Sequence, residues 1–250
     1  MDRSPTLNEA EQLLAAASQL NPGPWVDHSR YVAGAAAIIA HHHPTLDPDR
    51  TAILGLLHDI GRREGVTGMR HILDGYHFLH NLGYDAAACI SLTHSFPAQN
   101  VHEAYGDWDC SPAEKQFVAD FLAQHVYDDY DRLFQLCDAL ALPTGYCILE
   151  KRFVDVTLRY GWNDFILDKW RATLRLKEYF ETAIGQPIYP LLPGIVATTF
   201  GCKMGMEVCE SASCRVAELQ SARSLCDLPP CHFATLRLCP KVFYENLHRS

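Results

Sequence analysis

The segment Gly55-Leu56-Leu57-His58-Asp59-Ile60-Gly61-Arg62 places a titratable pair at the end of an apolar helical stretch, and nothing else in the chain constrains the fold as much. An ionised Asp beneath an apolar face is costly unless a cation or hydrogen bonds compensate it. A His at a helix C-terminus has an ordinary explanation in the helix dipole, so the pair alone does not separate a cap from a site. Its company does. His28 shares a helical face with Val32, Ala35 and Ile39, and His71 shares one with Gly75, Phe78 and Leu82. Asp138 lies at four-residue spacing from both Phe134 and Leu142. Several helices therefore each direct one imidazole or carboxylate inward, which is how a helical protein builds a transition-metal centre.

Helical signals run through the first 185 residues. The pattern predicts helices over Asn8–Leu20, Trp25–His42, Arg50–Ile60, Met69–Asn81 and Asp85–His94. Asn21-Pro22-Gly23-Pro24 stops the first, and Asp47-Pro48-Asp49 caps the third. Phe96–Cys110 reads as a loop, after which Ser111-Pro112-Ala113-Glu114 is a capping box with Pro at the first position. Further helices are expected at Tyr130–Ala141, Tyr146–Tyr160 and Asp164–Ile184, with no strand and no repeat. The expected fold is all-α, a helical bundle over residues 1–193, followed by an irregular Cys-rich extension over 194–250.

Composition narrows the partners. Of 250 residues, 48% are apolar and 20% charged, which excludes a disordered chain. A formal charge of −9 argues against a nucleic-acid polymer as partner, whereas a few local cations suffice for a small anionic substrate. The near-continuous apolar run Tyr31–Ala40 is too short for a bilayer, and MDRSPTLNEA has no signal pattern, so a soluble cytoplasmic protein is expected.

The order His28, His58-Asp59, Asp138 on successive helices resembles the HD-domain superfamily of metal-dependent phosphohydrolases. The likeness spans about residues 25–185, and the phrases LLHDIGR, HILDGY, LTHSFP and QLCDALALP resemble a bacterial subgroup of predicted HD hydrolases. It implies that His28, His58, Asp59 and Asp138 bind a metal. It also implies that His71 and His94 complete a second metal, with Asp59 bridging. Imidazoles with carboxylates suit one or two divalent transition metals, Fe or Mn first, then Zn, Co or Ni. The implied reaction is hydrolysis of a phosphate ester or anhydride of a small metabolite or nucleotide by a metal-bound hydroxide, with Asp59 and Arg62 in the catalytic set. Arg62 and Arg63 directly follow the pair, Lys151 and Arg152 sit on the helix after Asp138, and these four cations with His77 are the candidate substrate contacts.

Two other readings share the fold. Some HD-like proteins use a di-iron pair as an oxygenase that cleaves a C–C or C–P bond, for example of a phosphonate. Those carry a Lys shortly after the late His, whereas His94 is followed here by Ser95-Phe96-Pro97-Ala98. The third reading is a non-catalytic nucleotide-binding module.

Other conspicuous residues have plainer explanations. His80 points away from the face of His71, and His41-His42-His43 reads as a solvated helix end. His102 and His125 have no partner in the pattern. Asp129 or Asp131 is expected near a helix cap, Ser95 lacks a base, and Cys137 reads as a small core residue. In the tail, Cys202, Cys209, Cys214, Cys226 and Cys231, with His232 and Cys239, could clasp a zinc; the preferred reading is a peripheral extension.

Overall fold

Thr6, Asp47, Ser111 and Asp128 each accept a hydrogen bond from a first-turn backbone N–H, and a helix begins directly after each. In the computed structural model, which describes residues 3–201, ten α-helices follow in order. These are α1 (Leu7–Leu20), α2 (Trp25–His42), α3 (Pro48–Leu57), α4 (Arg70–Asn81), α5 (Asp85–Thr93), α6 (Pro112–Gln124), α7 (Asp129–Leu140), α8 (Leu149–Tyr160), α9 (Ile166–Ile184) and α10 (Ile195–Phe200). The all-α expectation holds. Asp128 caps α7, and Asp129 and Asp131 lie in its first turn as expected, with Asp131 completing the capping box.

One pairing departs from the expected absence of strands. β1 (Ala141–Leu142) and β2 (Gly145–Tyr146) form an antiparallel hairpin, two residues each. A two-residue strand has no room for an alternating pattern and leaves no periodic signal. The hairpin also delays α8 to Leu149.

The amphipathic α2 is central, packing against α3, α7 and the hairpin. Val32, Ala35, Ala36 and Ile39 on its inner face are fully buried, together with Leu57, Phe134 and Leu140. Gly55 lets α3 approach α2 closely, because a Cβ there would collide with the backbone of Ala33. Beneath α6 lies a second apolar cluster that includes Ile72, Leu92, Phe96, Val118 and Leu122.

The chain beyond Pro193 still contributes to this body. Ile195 of α10 is buried, and Thr199 Oγ1 accepts from the Ile148 N–H at 3.2 Å. The Cys and His of the suggested zinc clasp lie outside the described residues. No helix among the described residues is long and apolar enough to cross a membrane.

Candidate metal centre

Helix ends, more than helix middles, deliver the titratable side chains. α3 stops at Leu57, three residues before its expected end, so His58 is its C-cap and Asp59 begins a 3-10 turn that covers Ile60–Glu64. Close packing follows this break. A Cβ at Gly61 would collide with the His71 carbonyl and the Gly75 amide, so the turn lies directly on α4. His71 occupies the first turn of α4, and His94 is the C-cap of α5. His28 comes from α2 and Asp138 from α7.

These six residues meet. His28 Nε2 lies 2.9 Å from Asp138 Oδ1, and His58 Nε2 lies 3.9 Å from the same oxygen. Asp59 Oδ1 faces His71 Nε2 at 3.2 Å and His94 Nε2 at 3.7 Å, while Asp59 Oδ2 is 4.0 Å from His58 Nε2. Two sets of three have ligand atoms mutually within 4.8 Å: His28, His58 and Asp138, and His58, Asp59 and His94. His58 thus stands between two candidate positions, and His71 approaches through Asp59.

Hydrogen bonds orient the rings. His58 Nδ1 lies 2.8 Å from the Gly55 carbonyl, His71 Nδ1 2.6 Å from the Gly68 carbonyl, and His94 Nδ1 3.2 Å from the Ile90 carbonyl. A carbonyl only accepts, so in each ring Nδ1 carries the proton and Nε2 turns a lone pair inward. Lone pairs of His71 and His94 then face a carboxylate oxygen, an arrangement that repels unless a cation stands between them. His58 Nε2 and Asp59 Oδ1 are moreover buried without any hydrogen-bond partner. The donor set fits a divalent transition metal.

Protonation states agree with that fit. Burial pushes His71 down to about 4, helped by the nearby Arg62 charge, and pushes His94 down to about 4, helped by His58. His58 is also lowered, mainly by burial. Burial opposes ionisation of Asp59, yet Arg62 and the surrounding imidazoles outweigh it and hold its carboxyl well below the usual range. Asp138 is likewise held low against its burial, chiefly through the hydrogen bond with His28. At neutral pH the cluster offers neutral imidazoles and ionised carboxylates, the forms that bind metal.

Arg62 donates from Nε to Asp59 Oδ2 at 2.6 Å and brings Nη2 to 3.4 Å from His71 Nε2. The Asn21 side chain donates to the Arg62 carbonyl at 2.6 Å. The residue expected to clamp substrate is therefore first the anchor of a carboxylate.

A cavity of about 420 Å³ opens onto the cluster. His28, Asp59, His71, His94 and Asp138 line it, as do Arg62, Arg152, Arg159 and Lys169. Three expected substrate contacts lie elsewhere. Arg63 pairs with Glu64 and covers the Phe78 ring, Lys151 pairs with Asp155 at 2.7 Å, and His77 is exposed against Phe117. One helical step explains Lys151, because its neighbour Arg152, about 100° further round the helix, takes the inward face.

Lys169 was not legible from the sequence around the motif. Its Nζ reaches from α9 to the Ser95 carbonyl at 2.6 Å, so the place after His94 that lacks a lysine in sequence receives one in space. His125, unpartnered in the sequence pattern, pairs with the buried Asp131 at 2.9 Å, and Asp131 also accepts from Thr93 Oγ1 at 2.7 Å. Cys137 is fully buried, as expected of a core residue.

Neither the curated proteins nor the solved structures compared with this chain gave a match. The HD domain family matches residues 25–142, a segment that contains His28, His58-Asp59, His71, His94 and Asp138. Over this segment, a little under half of its length, the chain carries an HD domain.

Proposed function

We propose that the chain hydrolyses a phosphate ester or anhydride of a small metabolite or nucleotide. Its helpers are one or two divalent transition metals held by His28, His58, Asp59, His71, His94 and Asp138. The observation that carries the reading is the pair of buried, unpartnered atoms His58 Nε2 and Asp59 Oδ1, set among imidazoles whose Nδ1 positions are already occupied. When bound, a divalent cation supplies a water acidic enough to act as a nucleophile near neutral pH and screens the phosphate oxygens. Nitrogen and carboxylate donors together favour Fe, Mn, Zn, Co or Ni over Mg.

The chain's own residues supply the frame. Backbone carbonyls fix three tautomers, so His58, His71 and His94 need not reorient before binding. Arg62 holds Asp59 in one orientation and keeps it ionised. Arg152 borders the cavity from α8 and is the better placed partner for a phosphate oxygen, since Arg62 already serves Asp59. Trp25, Phe153 and Trp170 give the same cavity an apolar wall that limits water around the reacting group.

Elemental analysis of protein purified without chelator, followed by a phosphoester and nucleotide screen, tests the reading. Metal-loaded protein that releases no phosphate or nucleotide product from any of them would remove it. A second reading, oxygen-dependent cleavage of a C–C or C–P bond by a di-iron pair, draws support from the position of Lys169 beside His94. Oxygen uptake coupled to turnover on a phosphonate panel favours that reading; its absence favours hydrolysis.

A further inference from the structure

The chain as a whole is acidic, with a formal charge of −9, yet the cavity is not. Its lining includes four cationic side chains, Arg62, Arg152, Arg159 and Lys169, and its only carboxylates are the metal-facing Asp59 and Asp138. Arg62 is matched by Asp59. The other three form no ion pair with a carboxylate among the described residues. Elsewhere on the surface cations find acidic partners, as Lys151 does with Asp155, Lys177 with Glu181 and Arg132 with Asp129. Lys169 donates once, to the Ser95 carbonyl, and keeps two N–H groups. The guanidinium of Arg152 has no hydrogen-bond acceptor among the described residues, and Arg159 donates to the Asp155 carbonyl at 3.3 Å and lies over the Tyr160 ring.

Lys169 is offset only at longer range, by the buried Glu103, and Arg152 by Asp138, so the cations sharing this concavity still repel one another, and bound metals would add positive charge beside them. The arrangement makes sense if the occupant brings several negative charges. An apolar-walled cleft also focuses that field, so it acts on the occupant more strongly than the same charges would on an open surface.

We propose that Arg152 and Lys169 form an anion-binding subsite beside the metal cluster, and that the substrate carries two phosphate groups, one at the cluster and one on these cations. The proposal rests on the cavity being the reaction chamber, as argued above, and narrows the substrate to organic bisphosphates and diphosphates. Within such a substrate one phosphate reacts, while the other supplies binding energy and sets which end enters first.

Binding of inorganic pyrophosphate to chelator-stripped, full-length protein tests the subsite without any turnover. Calorimetric titration at constant ionic strength is expected to show binding that weakens at least about tenfold in Arg152→Met and again in Lys169→Met. Arg152→Lys and Lys169→Arg, which keep the charge, are expected to stay within a few fold of the parent. Metal content after reloading is expected to be unchanged in all four. Pyrophosphate binding that is undiminished in both Met variants overturns the proposal, as does loss of metal in either, which would make these cations supports of the cluster. If metal-loaded protein hydrolyses nothing but the stripped protein binds pyrophosphate through these residues, the hydrolase reading fails and the subsite stands.

Discussion

Arg62 Nε meets Asp59 Oδ2 at 2.6 Å, and this contact divides the carboxylate between two tasks. One oxygen is committed to the guanidinium, and the other is left to the imidazoles of His71 and His94. Arg62→Met is therefore expected to raise the Asp59 carboxyl toward its usual range and to weaken metal binding by about 10- to 100-fold, the usual cost of losing a partner that orients a ligand. Competition with a chelator at several pH values reads both effects. A variant that keeps its metal and shows only a higher KM would make Arg62 a substrate contact.

Asp59→Ala is expected to abolish metal retention and turnover while the helical circular dichroism persists. Removing the carboxylate strands the Arg62 guanidinium, but its side chain keeps 30% of its exposure. The stability loss should therefore fall below the roughly 3–5 kcal/mol of a fully buried broken pair. Elemental analysis beside a denaturant melt separates the two consequences.

His71→Ala is expected to halve the metal stoichiometry. His28, His58 and Asp138 form a set without it, whereas His71 reaches the cluster only through Asp59 Oδ1. Two metals per chain retained in the variant would exclude His71 as a ligand.

The pH dependence of the metal-stripped protein has a defined sign. His71 and His94 are each pushed from 6.5 to about 4, so the fold prefers them neutral. That contribution is complete above about 6.5 and declines as pH falls toward 4. Glu103 works against it: burial raises its carboxyl to about 7, so it favours the fold when protonated and loses that contribution as pH rises through 7. Two imidazoles outweigh one carboxyl, and the denaturation midpoint is expected to fall between pH 6.5 and 4.5. Glu103→Gln is expected to steepen the decline. A midpoint that rises on acidification over that interval contradicts the assignment of neutral rings.

Much of this arrangement could be read from local sequence. Ser111 and Asp47 mark helix starts through short-range hydrogen bonds, and inward-facing His28, His71 and Asp138 follow from helical periodicity. What escaped depends on distant parts of the chain. Lys169 lies 74 positions from the carbonyl it meets, and no spacing rule connects α9 to the end of α5. α3 stops three residues before the Ile60 end that its periodicity suggests, where the following turn lies against α4 through Gly61, a contact that no local pattern records. Arg63 and Lys151 do not line the cavity although they sit beside residues that do, because adjacent positions on a helical or 3-10 turn point in different directions, so proximity to a ligand in sequence says little about which cation faces the cavity.

The contact of Gly61 with the His71 carbonyl and the Gly75 amide is main chain against main chain. No intervening side chain can shrink or grow to alter the distance between the turn that carries Asp59 and the helix that carries His71. Related chains would then be free to exchange the surrounding Leu, Ile and Ala residues extensively while the ligand geometry stays constant. Divergence in this scaffold can remake the chamber around the cluster without having to rebuild the cluster itself.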